Sequence, residues 1–192
     1  MKNILTIFDY YTEKFNKMPK LYDVFLSHKQ SEAQDRAKVY KLFLKEKGFH
    51  AFYDKDELTD DDWTIEKVIE VVSRSKSLFF FYTPTILENV WCQLELLIAI
   101  KSKIPIFIIN VEPTWPKKHL IVKKSDFPSY LKSALTKNNV IYDHRYEFDK
   151  LEIKILNILN TIINKQKNKT KKNKTKKNKT KKNKTKKIKL EK

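Results

Sequence analysis

Glycine is almost missing from this sequence. An average chain carries about 7% glycine, yet these 192 residues contain one, Gly48. A phosphate-cradling P-loop and a dinucleotide-binding GxGxxG turn are thereby excluded, because both need several backbone N–H groups to approach a phosphate with no Cβ in the way. A G-x-S-x-G nucleophile elbow is excluded on the same ground. Cysteine is as scarce: Cys92 alone builds no disulfide framework, which suits a reducing, intracellular setting. The four histidines, His28, His50, His119 and His144, make no i, i+4 pair that could seed a zinc site. Apolar runs such as Leu78 to Tyr82 and Ile104 to Val111 fall well short of the roughly 18 residues of a membrane span. Met1 to Phe15 contains Asp9 and Glu13 and no small-residue cleavage pattern, so no secretory signal is read there.

Lysine, by contrast, is abundant, and its location matters more than the net charge of +18. Residues 165–192 hold 16 lysines and one acid, Glu191, which assigns +15 to this tail and +3 to the other 164 residues. The tail is four copies of KNKTK from Lys167 to Lys186 followed by KIKLEK. Lacking apolar side chains to offset the entropy of ordering, it is expected to be disordered. Such a polycation suits non-specific contact with nucleic acid or an anionic membrane, with a steep salt dependence. It has no arginine forks or interleaved aromatics with which to read bases. The competing reading is a drifting low-complexity repeat without function. The expected location is cytoplasmic, with the lysine tail leaving a nuclear one open.

A composition of 41% hydrophobic and 33% charged residues suits one domain with a single core. Residues 1–19 are a polar and aromatic lead with room for one short helix. From 20 to 164, short β-branched and aromatic runs alternate with stretches of helical period, the signature of a parallel sheet with crossover helices. The expected strands are Tyr22 to Ser27, Phe49 to Tyr53, Lys76 to Tyr82, Ile104 to Val111 and Asn139 to Asp143. The expected helices are Glu32 to Lys47, closed by Gly48 and buried through Ala33, Ala37, Val39, Tyr40, Phe43 and Leu44; Trp63 to Ser75, with an Ile65, Val68, Ile69, Val72 stripe; Glu88 to Lys101; and Glu147 to Asn164. Asp54 to Asp62 reads as an acidic loop whose last aspartates cap the second of these helices. The fold class is therefore α/β: a flavodoxin-like three-layer domain around a five-stranded parallel sheet, followed by the basic tail.

In open parallel sheets, function gathers at the C-terminal ends of the strands. This sequence places Ser27, His28 and Lys29 after the first strand and Asp54, Asp56 and Glu57 after the second. After the third come Thr83 and Pro84, then the Trp91-Cys92-Gln93-Leu94-Glu95 segment. A Mg²⁺-dependent phosphoacceptor would need paired acids after strand one and an aspartate after strand three; Ser27, His28, Tyr82 and Thr83 stand there instead. The motifs Y-D-V-F-L-S-H-K (Tyr22 to Lys29), K-G-F-H-A-F-Y-D (Lys47 to Asp54) and W-C-Q-L-E-L (Trp91 to Leu96), with the acidic loop between them, resemble in order and spacing the TIR (Toll/interleukin-1 receptor) domain family. The W-C-x-x-E segment is most similar to TIR enzymes that cleave NAD⁺, in which the glutamate four residues after the tryptophan is catalytic.

That resemblance implies Glu95 as the catalytic carboxylate, with His28, Lys29, Asp56 and Trp91 as substrate-binding residues and no metal. NAD⁺ would be substrate rather than cofactor, the activity that of an NAD⁺ nucleosidase, hydrolase or cyclase, and the role immune or cell-death signal transduction. The chemistry is consistent with a single carboxylate: breaking the nicotinamide–ribose bond develops an oxocarbenium-like cation, and nicotinamide leaves as a neutral pyridine without needing a proton. Trp91 and Glu95, at i and i+4, share a helix face. Cys92 reads as buried filler, with no base apparent beside it. The alternative function is a non-enzymatic scaffold that signals by self-association or by binding other TIR domains. It draws on the helix from Leu87 to Ile100, which is apolar nearly all round.

Overall fold

The computed structural model describes residues 2–57, 64–111, 140–143 and 150–164. The expected disordered tail, the Pro113, Pro116 and Pro128 connection and the later part of the acidic loop lie outside the described residues. The chain divides into two compact units, Met1–Glu152 and Ile153–Lys192.

In the first unit the most apolar strand organises the rest. β3 (Leu78–Tyr82, LFFFY) is buried at every position, as an unalternating run must be when both faces are covered. It pairs with β1 (Val24–Ser27) on one side and β4 (Ile106–Val111) on the other. β2 (Ala51–Phe52) adds to the outer side of β1, with Phe25 opposite Phe52, and β5 (Val140–Asp143) adds to β4. Every pairing is parallel and the order is β2-β1-β3-β4-β5. The class is α/β with a parallel sheet. Strands are shorter at their N-terminal ends than the sequence pattern suggests; Tyr22, for instance, makes only an isolated bridge with Ser75.

Strand alternation sorts side chains between the two faces. Phe25, Leu78, Phe80, Ile106 and Ile108 join one core cluster with Val68, Ile69 and Val72 of α4 (Ile65–Ser73) and with Cys92, Leu96 and Ala99 of α5 (Val90–Lys101). On the opposite face, Tyr40 of α2 (Gln30–Glu46) meets Phe81 edge-on, the ring centroids 5.0 Å apart. The buried stripe of α2 is Ala33, Ala37, Tyr40, Phe43 and Leu44. Val39, expected among them, is exposed, as is Ile65 at the start of α4. Val39 sits one step round the helix from the face that meets the sheet, whereas Ile65 is the first residue of α4.

Gly48, with φ of +79°, follows the C-cap Lys47 and closes α2: its N–H donates to the Lys45 carbonyl and that of Phe49 to the Leu44 carbonyl. Asp54 to Glu57, read as loop, form one helical turn, α3. The cap of α4 is Thr64 rather than the expected aspartates; its side chain accepts from the Lys67 N–H at 3.1 Å.

The polar lead folds as α1 (Lys2–Asn16) and contributes to the core. Phe8 and Phe15, seven residues apart and so on one helix face, are buried in the cluster that holds α4 and α5. Lys14 faces Glu66 across the α1–α4 contact at 3.8 Å, and Lys101 of α5 donates to Asp9. Helix α6, residues 150–164, runs into the second unit, with Leu151, Ile155 and Leu159 recurring at i, i+4 and i+8. Among the described residues no helix is long and apolar enough to cross a membrane.

Candidate active site

A cavity of about 670 Å³ opens beside the C-terminal ends of β1 and β2. Its wall is drawn from three places far apart in sequence: His28 and Lys29 after β1 with the first turns of α2 that follow them, Asp54 after β2, and Asn89, Trp91, Cys92 and Glu95 around the start of α5. In this strand order the chain reverses direction across the sheet between β1 and β3, which is where ligand crevices form in open α/β sheets.

Glu95 is nearly fully buried although it is a glutamate. Ser27 explains how. Phe25 and Ser27 share the strand face turned toward α5, so the Ser27 hydroxyl reaches Glu95 and donates to its Oε2 at 2.5 Å. Burial pushes the Glu95 carboxyl up to about 8; the Ser27 hydrogen bond opposes this and the charge of Asp54 adds to it. At pH 7 the Glu95 carboxyl is therefore mostly protonated.

Of the other residues expected here, His28, Lys29 and Trp91 line the cavity with Glu95, and Asp56 does not. Asp56 instead accepts from Lys41 at 2.6 Å on the outer side of α3. The carboxylate that reaches the cavity is Asp54, two residues earlier, at the start of the same short helix. Lys29 lines the cavity, but its ammonium donates to Glu32 at 2.8 Å and to Thr85. Burial raises the Glu32 carboxyl, yet the hydrogen bonds from Lys29 and Thr85 outweigh it and hold the group at about 2. Trp91 is 42% exposed at the rim.

The His28 imidazole is buried, stacked on Tyr53 with centroids 5.3 Å apart, and its Nδ1 lies 3.1 Å from the Leu26 carbonyl. Cys92 is buried one helical turn before Leu96 and its thiol donates to the His28 carbonyl at 3.5 Å. Burial, with the nearby Glu95 charge, pushes this thiol well above the ordinary range. Native protein treated with iodoacetamide at pH 8 should keep Cys92 unmodified, with full alkylation after denaturation; rapid native alkylation, read by mass spectrometry, would contradict this.

Asn89 sets the height of Trp91 and Glu95. It is the N-cap of α5, its side chain accepting from the Cys92 N–H at 3.1 Å. Asn89→Ala should cost about 1 kcal/mol of stability in a urea melt. Asn89→Asp should cost much less, because it keeps the acceptor.

Position after a strand places Ser27 and Asp54 where function gathers without assigning either a role, and Asn89 carries no site assignment from the sequence. For Ser27 the signal is a polar residue closing an otherwise apolar buried strand, and for Asp54 an acid directly after one. Among the described residues, no group of three or more histidines, cysteines or acids is placed to hold a metal ion.

The family model described as TIR domain matches residues 24–139, from the first residue of β1 almost to β5. The chain belongs to the TIR domain family. The match spans every cavity residue named above. A curated relative, the NAD(+) hydrolase SARM1 of Danio rerio, is 24% identical over 160 residues, which is 79% of this chain and 21% of the relative. The chain thus spans about a fifth of that relative's length. Among solved structures, a metazoan TIR-STING receptor from C. gigas in complex with 2',3'-cGAMP is 17% identical, with a TM-score of 0.53 over 72% of this chain and 40% of the receptor chain. A second structure of that receptor gives the same TM-score and identity over 41% of its chain. At this identity the structural likeness establishes the TIR fold alone.

Proposed function

We propose that this TIR domain is an NAD⁺ nucleosidase acting in signal transduction, breaking the bond between nicotinamide and ribose. The observation that carries the reading is Glu95, a buried carboxyl on the wall of a cavity of about 670 Å³ whose rim holds an indole four residues away. The similarity to a protein named as an NAD(+) hydrolase supports it.

In the proposed reaction the Glu95 carboxylate faces C1' of the nicotinamide ribose. The C1'–N bond breaks with its electron pair moving to the pyridine nitrogen, so nicotinamide leaves neutral. The cation left on the ribose is stabilised by the carboxylate, a preplaced anion in a water-poor site. Water then adds to C1' and loses its proton to solvent, giving ADP-ribose; addition of the adenine ring instead gives a cyclic product. Trp91 supplies an aromatic wall for a flat ring. The start of α2, capped by Lys29 without a side-chain hydrogen bond, offers N–H groups to the pyrophosphate. For Lys29 to join them, its ammonium has to leave Glu32 and Thr85.

The test is nicotinamide release from NAD⁺ by the full chain, in dilute solution and at high concentration with a crowding agent. No release under either condition, or release unchanged in Glu95→Ala, would sink the proposal. The same assay gives a pH profile. Because the anion stabilises the cation and the free site holds the proton up to about pH 8, kcat/KM should rise with pH and level off near 8. The kcat profile should turn at lower pH, since a bound pyridinium cation favours the carboxylate.

A second reading, a scaffold that signals by association with another TIR domain, is favoured by one feature. Val90, in the first turn of α5, is 75% exposed beside the partly exposed Trp91. Self-association that drives signalling equally well in Glu95→Gln would favour that reading over the enzyme.

A further inference from the structure

We propose that His28 and Asp54 form a two-acceptor clamp that recognises a hydroxyl of the ribose whose bond to nicotinamide is broken. This deepens the nucleosidase reading and rests on it.

Three observations carry the inference. First, His28 Nδ1 lies 3.1 Å from the Leu26 carbonyl oxygen, an acceptor, so Nδ1 holds the ring proton. In the neutral imidazole, Nε2 is then left with a lone pair. Second, that Nε2 is buried and has no hydrogen-bond partner among the described residues, while His28 lines the cavity. A buried polar atom left unsatisfied is costly, so it is retained where a ligand completes it. Third, Asp54 Oδ1 lies 3.7 Å from that Nε2, too far for a hydrogen bond and about right for one donor group to sit against both.

Asp54 is held in place independently. Its Oδ2 accepts from Gln30 at 3.2 Å and its Oδ1 from the Lys55 N–H at 2.9 Å, which leaves Oδ1 further lone-pair capacity. The His28 ring is likewise fixed, stacked on Tyr53 and edge-on to Phe81. Two preorganised acceptors call for a donor. A phosphate has none at neutral pH, and the adenine amino group, which has two, lies at the far end of NAD⁺ from the C1' that Glu95 faces. A sugar hydroxyl fits, because its single O–H, aimed between acceptors 3.7 Å apart, is shared by both in a three-centre hydrogen bond while its oxygen still accepts from elsewhere. Glu95 lines the same cavity as His28 and Asp54. With its carboxylate at C1', the hydroxyls on the neighbouring ring carbons are therefore the donors closest to the clamp.

The test compares NAD⁺ with its 2'-deoxy and 3'-deoxy analogues, altered on the nicotinamide ribose, in the full chain and in His28→Phe and Asp54→Asn. Wild type should prefer NAD⁺ over one of the analogues by about 10- to 100-fold in kcat/KM. That ratio should shrink to within about threefold in both variants. Comparing ratios between proteins cancels the intrinsic reactivity of a deoxysugar. An unchanged ratio in both variants overturns the clamp and leaves the nucleosidase reading standing.

A readout free of turnover separates the two claims. The His28 Nε2 resonance in ¹⁵N-labelled full chain should shift on titration with NAD⁺ or ADP-ribose, and much less with the matching deoxy ligand. Equal shifts with both kinds of ligand, or no shift with any of them, overturn the clamp whether or not nicotinamide is released. Should His28→Phe fail to fold, Asp54→Asn and this titration on the unmodified protein still decide the matter.

Discussion

Glu95→Gln should lower nicotinamide release by about 10²- to 10³-fold and, at alkaline pH, make the protein more stable. The two effects have one cause. A carboxylate placed to stabilise a cation on the substrate is, in the empty site, a charge held away from water. Burial pushes the Glu95 carboxyl up to about 8 from 4.5, so between these values the unfolded chain has released a proton that the native state keeps. Stability contributed by the protonated carboxyl is fully present below about pH 4.5 and is lost as pH rises through 8, by about 1.4 kcal/mol per pH unit. Glutamine does not titrate. Its stability advantage over wild type should therefore be small at pH 5 and grow to a few kcal/mol at pH 9. Urea melts of the two proteins across this range check the slope. A gap independent of pH would show that Glu95 is an ordinary, solvated glutamate.

Phe15→Ala should destabilise the protein by about 3 to 5 kcal/mol. Phe15 is 5% exposed, and with Phe8 it seats α1 in the same core cluster as Val68, Ile69, Leu96 and Ala99. Thr12, between them, is buried too, its hydroxyl donating to the Phe8 carbonyl at 2.8 Å. Removing one phenyl ring leaves a cavity bounded by α1 and α4, and the whole domain should unfold earlier in a single transition. A change below about 0.5 kcal/mol, or a separate early transition of α1 alone, would mean that the helix is an appendage. The family match begins at residue 24, so this variant also asks whether the helix preceding the matched region is structurally required here.

The lead looks like an appendage in sequence because its apolar residues are interrupted by Asp9, Glu13 and Lys14. Two of these charged groups meet partners on α4 and α5: Lys14 faces Glu66, and Lys101 donates to Asp9. Periodicity along one helix does not reveal that a neighbour carries the complementary charge. The strand pattern was easier to read. LFFFY has no polar position, so both faces had to be covered, and the parallel class followed from the helical stretches between strands. Helix ends were read less well. Asp60, Asp61 and Asp62 looked like capping residues, yet the cap is Thr64, because a cap is fixed by where the helical backbone starts.

The candidate site divides in the same way. Glu95, Trp91, His28 and Lys29 were legible because each belongs to a short motif that resembles those of the TIR family, and they meet in one cavity. Asp56 was read as a site residue and lies outside that cavity. Adjacent acids in DKDE are equivalent in a linear reading; only the helical turn of α3 turns Asp54 toward the cavity and leaves Asp56 to Lys41. Ser27 and Glu95 are 68 positions apart, and no local pattern joins a serine to a glutamate at that distance.

By itself, the sequence determined that this is an α/β chain with a parallel sheet, that it has no glycine-rich phosphate loop, and that most of its net positive charge belongs to residues 165–192. Those conclusions depend on residue type and local period, which are properties of the chain alone. The tertiary structure decided that Glu95 is buried against Ser27, that Asp54 rather than Asp56 reaches the cavity, and that α1 completes the core. These depend on strand order, helix phase and desolvation, which arise only when distant segments are packed together. The near absence of glycine keeps its meaning throughout: a nucleotide in this cavity would be held by side chains and helix ends.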